Sequence, residues 1–61
     1  MTGQEALSII KLYMIKHSLT QRAMAYIVGT DETTLSRWVR WGKVGRRWMV
    51  RLEEQGFFLD R

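Results

Sequence analysis

Residues 19–41 read LTQRAMAYIVGTDETTLSRWVRW, and this stretch decides the fold. Apolar residues recur at three- and four-residue steps on both sides of Gly29, which is typical of two amphipathic helices. Thr20 and Asp31 carry side chains that cap helix starts, and glycine adopts the left-handed backbone that ends helices. We therefore predict a helix over 21–28, a short turn, and a second helix that starts after Asp31.

Similar signals predict one helix before this stretch and one after it. Thr2 and Glu5 have the spacing of a capping box, and the apolar period that follows predicts helix 1 over 2–16. Gly42 ends helix 3, and helix 4 is expected over about 45–55. The expected fold is all-α: a compact four-helix domain.

Apolar side chains on these helices supply the expected core. On helix 1, one apolar stripe is widened by further apolar residues, so we expect this helix to be covered on more than one side. The stripe is Ala6, Leu7, Ile10 and Met14, widened by Ile9, Leu12, Tyr13 and Ile15. Helices 2 and 3 are expected to meet through Met24, Val28, Leu35 and Trp38. Trp48 is also expected in the core. Trp41 is expected either to cover the bottom of the hydrophobic core or to pack at an interface.

Composition excludes several classes of function. With 61 residues there is room for one domain, residues 1–61, and none for a deep catalytic cleft. The chain has no Cys, and the single His17 cannot build a zinc site. We therefore expect no enzyme, metal, cofactor or small-molecule ligand. The chain also lacks a membrane-length apolar run and a signal-peptide pattern, so we expect a cytoplasmic, nucleoid-associated protein.

The positive charge is concentrated in one part of the chain. Ten Lys and Arg stand against six Asp and Glu, which gives a net charge of +4. Six of the ten basic residues lie between Arg37 and Arg51, and no acidic residue lies between those two. Such a block favours a polyanionic partner, nucleic acid first.

The pattern LTQRAMAYIVG followed by TTLSRW (residues 33–38) resembles the Cro/repressor-type helix-turn-helix family of phage and bacterial regulators. Members of that family commonly read LTQxxLAxxLG, then a polar turn, then TISRW. The resemblance covers residues 6–41. It implies a lambda-repressor-like fold in which helix 3 enters the DNA major groove.

The resemblance also implies the residues that contact DNA. Arg37 is suited to a bidentate pair with guanine, and Thr33 to thymine. The base-reading residues are expected to be Glu32, Thr33, Ser36 and Arg37. Gln21 matches a family position that holds a DNA phosphate, and the basic residues extend this set. The expected phosphate contacts are Gln21, Arg22, Arg40, Lys43, Arg46 and Arg47.

Two departures from the family pattern affect the core and the oligomeric state. Met14 and Val39 stand where the family often pairs an Arg with a Glu, so an ion pair is replaced by two apolar residues. After Trp41 the usual Pro and the longer helical tail are missing, so the family's dimerisation mode does not carry over. In the short apolar tail, residues 57–61, Phe57, Phe58 and Leu59 either complete the core or form a homodimer interface.

The expected function is a DNA-binding transcription regulator: a Cro-like repressor that binds a double-stranded DNA operator as a homodimer. One alternative is a protein-binding module of the same fold, such as an antirepressor or a small inhibitor of a host enzyme. It would expose apolar residues on helix 3. The other alternative is a non-specific binder of single strands or RNA that uses arginines interleaved with Trp38, Trp41 and Trp48.

Overall fold

Four α-helices follow one another along residues 1–58, the part of the chain that the computed structural model describes. They are α1 (Gly3–Lys16), α2 (Gln21–Val28), α3 (Glu32–Trp41) and α4 (Arg46–Glu54). These residues contain no strand, and the all-α, four-helix prediction is confirmed. The expected bounds of α1, α2 and α4 agree with the structure to within one residue.

Side chains cap the first three helices, as expected. The Thr2 hydroxyl accepts a hydrogen bond from the Glu5 N–H at 3.1 Å, and the Glu5 carboxylate accepts one from the Thr2 N–H at 3.0 Å. Thr20 accepts from the backbone N–H three residues on at 3.1 Å, and Asp31 does so at 2.7 Å. These bonds satisfy N–H groups that have no partner within the helix, so each helix begins where the sequence predicts.

Two glycines end the helices that carry the site. Gly29 (φ 91°) closes α2 and Gly42 (φ 80°) closes α3, both in the left-handed region. Residues 29–31 form the turn between α2 and α3, and the two helices pack against each other. The turn is short because glycine enters this backbone region without steric cost.

The core lies where the inner faces of the four helices meet. Trp38 is only 1% exposed, and its ring meets the half-buried Trp48 edge-on at a centroid distance of 5.7 Å. Met14 and Val39 are half-buried and pack against the core. The buried apolar residues are Ala6, Leu7, Ile10, Met24, Ala25, Val28, Leu35, Trp38, Val44, Leu52 and Phe57.

The expected broad coverage of α1 is wrong for two residues. Leu12 is 65% exposed and Ile15 is 75% exposed. The helices that pack against α1 are α2 and α4, and they bury the face that carries Ala6 and Ile10. Apolar residues on the other side of α1 therefore face solvent, although their spacing is helical.

The first residue of the tail belongs to the core of its own chain. Phe57 is buried, and its N–H donates to the Leu52 carbonyl oxygen at 3.0 Å. Its ring lies 6.4 Å from that of Tyr13 and 5.2 Å from that of the half-buried Phe58. Phe57 thus completes the core, the first of the two roles expected for the tail. Leu59 lies outside the described residues.

Candidate nucleic-acid interface

The outer face of α3 and the start of α2 form one open depression of about 360 Å³. All four residues expected to read bases line it, together with two of the expected phosphate contacts. The lining residues are Gln21, Glu32, Thr33, Ser36, Arg37 and Arg40. Tertiary structure therefore brings Gln21, eleven positions before Glu32 along the chain, to the polar face of α3.

Helix geometry explains why these α3 side chains lie together. At 100° per residue, positions 32, 33, 36, 37 and 40 occupy one side of a helix. Leu35 and Trp38 project from the opposite side, where both are buried. Anchoring of α3 by this apolar face leaves its polar face open to solvent.

Acidic groups at the start of α3 have partners within the protein. Asp31 caps the helix. Hydrogen bonds from Thr34 lower the pKa of the Asp31 carboxyl; the side-chain bond has the larger effect and the backbone N–H the smaller. Glu32 lies 4.0 Å from the exposed Arg22 of α2. An exposed pair at this distance is weak, so it leaves Glu32 and Arg22 available to a ligand.

A second depression adjoins the first along α3 and the start of α4. Arg37 lines both, and Arg46 and Arg47 line the second one. The Arg37 guanidinium lies 5.7 Å from the centre of the Trp41 ring, a cation–π contact. Arginine residues therefore line both depressions, from the centre of α3 to the first turn of α4.

Lys43 lines neither of these two depressions. It lines a third groove, beside Met1, Val50 and Glu53, and Arg46 borders this groove as well as the second depression. The structure thus gathers Gln21, Arg40 and the base-reading residues in one depression and Arg46 and Arg47 in the adjoining one. Lys43 lies in the third groove, which it shares with Arg46.

Burial changes the expected role of the tryptophans. Trp38 is enclosed and cannot stack on a base. Trp48 is half-buried, with the Arg51 guanidinium 5.0 Å from its ring centre. Trp41 is 55% exposed, so the three-tryptophan stacking surface of the single-strand hypothesis is reduced to this one open ring.

Sequence reasoning missed two contacts at this surface. The Arg37–Trp41 contact has a sequence signal, because side chains four residues apart on a helix are neighbours. The Arg22–Glu32 contact joins two helices, and its geometry depends on how α2 packs against α3.

Comparison of the chain with protein-family models, curated proteins and solved structures finds no match. The described residues contain no group of three or more His, Cys, Asp or Glu that could hold a metal ion. Within the same residues, no helix combines the length and the apolar character needed to cross a bilayer. Interpretation of the site therefore depends on its own geometry and chemistry.

Proposed function

We propose that this protein binds double-stranded DNA in a sequence-specific manner through α3 and acts as a Cro-like transcriptional repressor that occupies an operator. One observation carries the proposal. The exposed face of α3 is a continuous polar surface, joined to the start of α2 in a single depression and flanked by arginines. An α-helix with its side chains is about 10–12 Å across, which fits a major groove about 12 Å wide.

The side chains of the depression have chemistry suited to DNA, and Glu32 would accept a hydrogen bond from cytosine N4. Arg37 presents a fork of N–H donors that matches the O6 and N7 atoms of guanine. Thr33 and Ser36 offer hydroxyl groups to base edges. Gln21 and Arg40 line the same depression and Arg47 lines the adjoining one, which supports a role for these side chains in phosphate contacts beside the base-reading residues.

The exposed surface of α3 gives less support to the alternatives. A protein-binding module would present apolar residues there, but the large exposed apolar side chain on α3 is Trp41, at its last residue. A single-strand binder would need several open rings, and Trp38 is buried.

Selection of bound sequences from random duplex DNA tests the proposal. We expect enrichment of one motif that contains guanine, with much weaker binding to a single strand of the same sequence. If the selected sequences contain an inverted repeat of that motif, the protein also binds as a dimer. Selection that returns no motif, or equal binding to single strands, would contradict the proposal.

A further inference from the structure

The third groove carries an exposed apolar surface that lies mostly outside the proposed DNA site, with which it shares only the side chains of Trp41 and Arg46. Met1, Trp41 and Val50 line it, and these side chains are 59%, 55% and 56% exposed. The half-buried Met49 lines the same groove. Large apolar side chains grouped in one depression are typical of an interaction site.

The order of residues along α4 gives this groove a definite charge pattern. Arg46, Met49, Val50 and Glu53 all line it, and their spacing of three, four and seven residues places them on one face of the helix. Arg46 and Glu53 are two helical turns apart, about 10.5 Å along the axis. The face therefore begins with a positive charge, ends with a negative charge and is apolar between them.

We propose that this groove is the interface of a homodimer, in which α4 packs antiparallel to α4 of a second copy. A two-fold axis beside Val50 reverses the direction of the second helix. Arg46 of each copy then lies opposite Glu53 of the other, and the apolar residues meet at the centre. Lys43 adds a second positive charge to the groove that receives the other copy's Glu53.

Charge complementarity selects a second copy over other occupants. The pattern positive–apolar–negative is its own complement when reversed, which an isologous interface requires. Nucleic acid would meet the Glu53 carboxylate in this groove. The exposed apolar pair Leu12 and Ile15 on α1 lacks this pattern, because the groove beside Ile15 has Lys11 as its charged residue.

This interface goes beyond the proposed DNA binding, since it requires no DNA. Phe57, one of the three tail residues that the sequence offered for a homodimer interface, lies in the core of its own chain. Arg46 takes part in the dimer contact from the side where it borders the third groove.

Sedimentation equilibrium of the whole chain without DNA tests the dimer. We expect a concentration-dependent monomer–dimer equilibrium, and we expect Val50→Glu to raise its Kd at least about tenfold, because two carboxylates then face each other at the axis. Val50 is exposed, so helix content by circular dichroism should not change. Ile15→Glu on the exposed apolar face of α1 is the matched control and should leave Kd unchanged.

Charge reversal tests the antiparallel register. Glu53→Arg and Arg46→Glu should each weaken the dimer, and the double variant should restore it, because both ion pairs are rebuilt with their signs exchanged. Glu54→Arg, one position off the groove face, should have little effect. Any of three results would overturn the proposal. The first is that the wild-type chain stays monomeric, and the second is that Ile15→Glu disrupts the dimer while Val50→Glu does not. The third is a double variant that dimerises no more tightly than the single variants. Failure to bind DNA would leave the proposal standing.

Discussion

Gly3 and Val44 are in direct backbone contact. The Gly3 carbonyl oxygen accepts a hydrogen bond from the Val44 N–H at 3.0 Å, and a methyl group on Gly3 would lie 2.7 Å from the Val44 carbonyl oxygen. This contact joins the first turn of α1 to the segment between α3 and α4. Glycine permits the close approach because it has no side chain. Gly3 therefore helps to hold the segment that leads into α4 against α1, and both Gly3 and Val44 line the third groove.

Replacement of Gly3 by alanine should destabilise the protein, although alanine is the better helix former by about 1 kcal/mol. The new methyl group would collide with a backbone oxygen, which cannot rotate away as a flexible side chain can. We expect the free energy of unfolding, measured by urea denaturation, to fall by about 1–3 kcal/mol. Ser8→Ala, at an exposed position of α1, is the control and should change it little. A gain in stability for Gly3→Ala would show that the contact is absent.

Loss of the Arg37 side chain should reduce specific DNA binding and leave the fold intact. Arg37 is exposed and lines both depressions along α3. We expect Arg37→Ala to cost about 1–3 kcal/mol of binding to the selected operator, with a smaller effect on unrelated duplex DNA. Mobility-shift titrations of both duplexes give this comparison. Lys11→Ala removes one charge from α1 and is the matched control. If both variants lose the same free energy of operator binding, Arg37 contributes only its charge.

Arg40 and Arg47 should determine part of the salt dependence of DNA binding. If both contact phosphates, the double variant Arg40→Ala with Arg47→Ala should reduce the slope of log K against log salt by about 1.8. Lys11→Ala with Lys16→Ala removes the same charge from α1, away from the proposed interface. The slope is measured by titration at several salt concentrations. An identical slope in both double variants would place Arg40 and Arg47 away from DNA.

Asp31 should make the stability of the protein depend on pH in the acidic range. Hydrogen bonds from Thr34 hold the pKa of the folded-state carboxyl below its ordinary value of about 4. The contribution of the Asp31 carboxylate to the stability of the fold is therefore fully present above a pH of about 4 and is lost as the pH falls through the lower folded-state pKa. Asp31→Asn keeps a capping oxygen but does not titrate there, so its Tm should fall less steeply with acid. Glu54→Gln removes a carboxylate that caps no helix start, so its Tm should fall with acid as steeply as that of the wild type. If the Tm of Asp31→Asn falls just as steeply, the assignment to Asp31 is refuted.

Local sequence was sufficient for the ends of the helices and for part of the site. The caps at Thr20 and Asp31 and the left-handed turn at Gly29 depend on atoms within about four residues, so a short stretch of sequence contains the whole interaction. The same holds for the polar face of α3, whose members follow from helical spacing alone. The base-reading role of that face remains a prediction.

Tertiary structure decided which predicted surfaces are covered and which residues meet. It left Leu12 exposed, placed Phe57 in the core, brought Gln21 to α3 and put Lys43 in a different groove from Arg40 and Arg47. The contact of Gly3 with Val44 joins positions 41 residues apart. Periodicity shows that a helix has an apolar face, but burial of that face requires a partner distant in sequence, and only the packed chain specifies that partner.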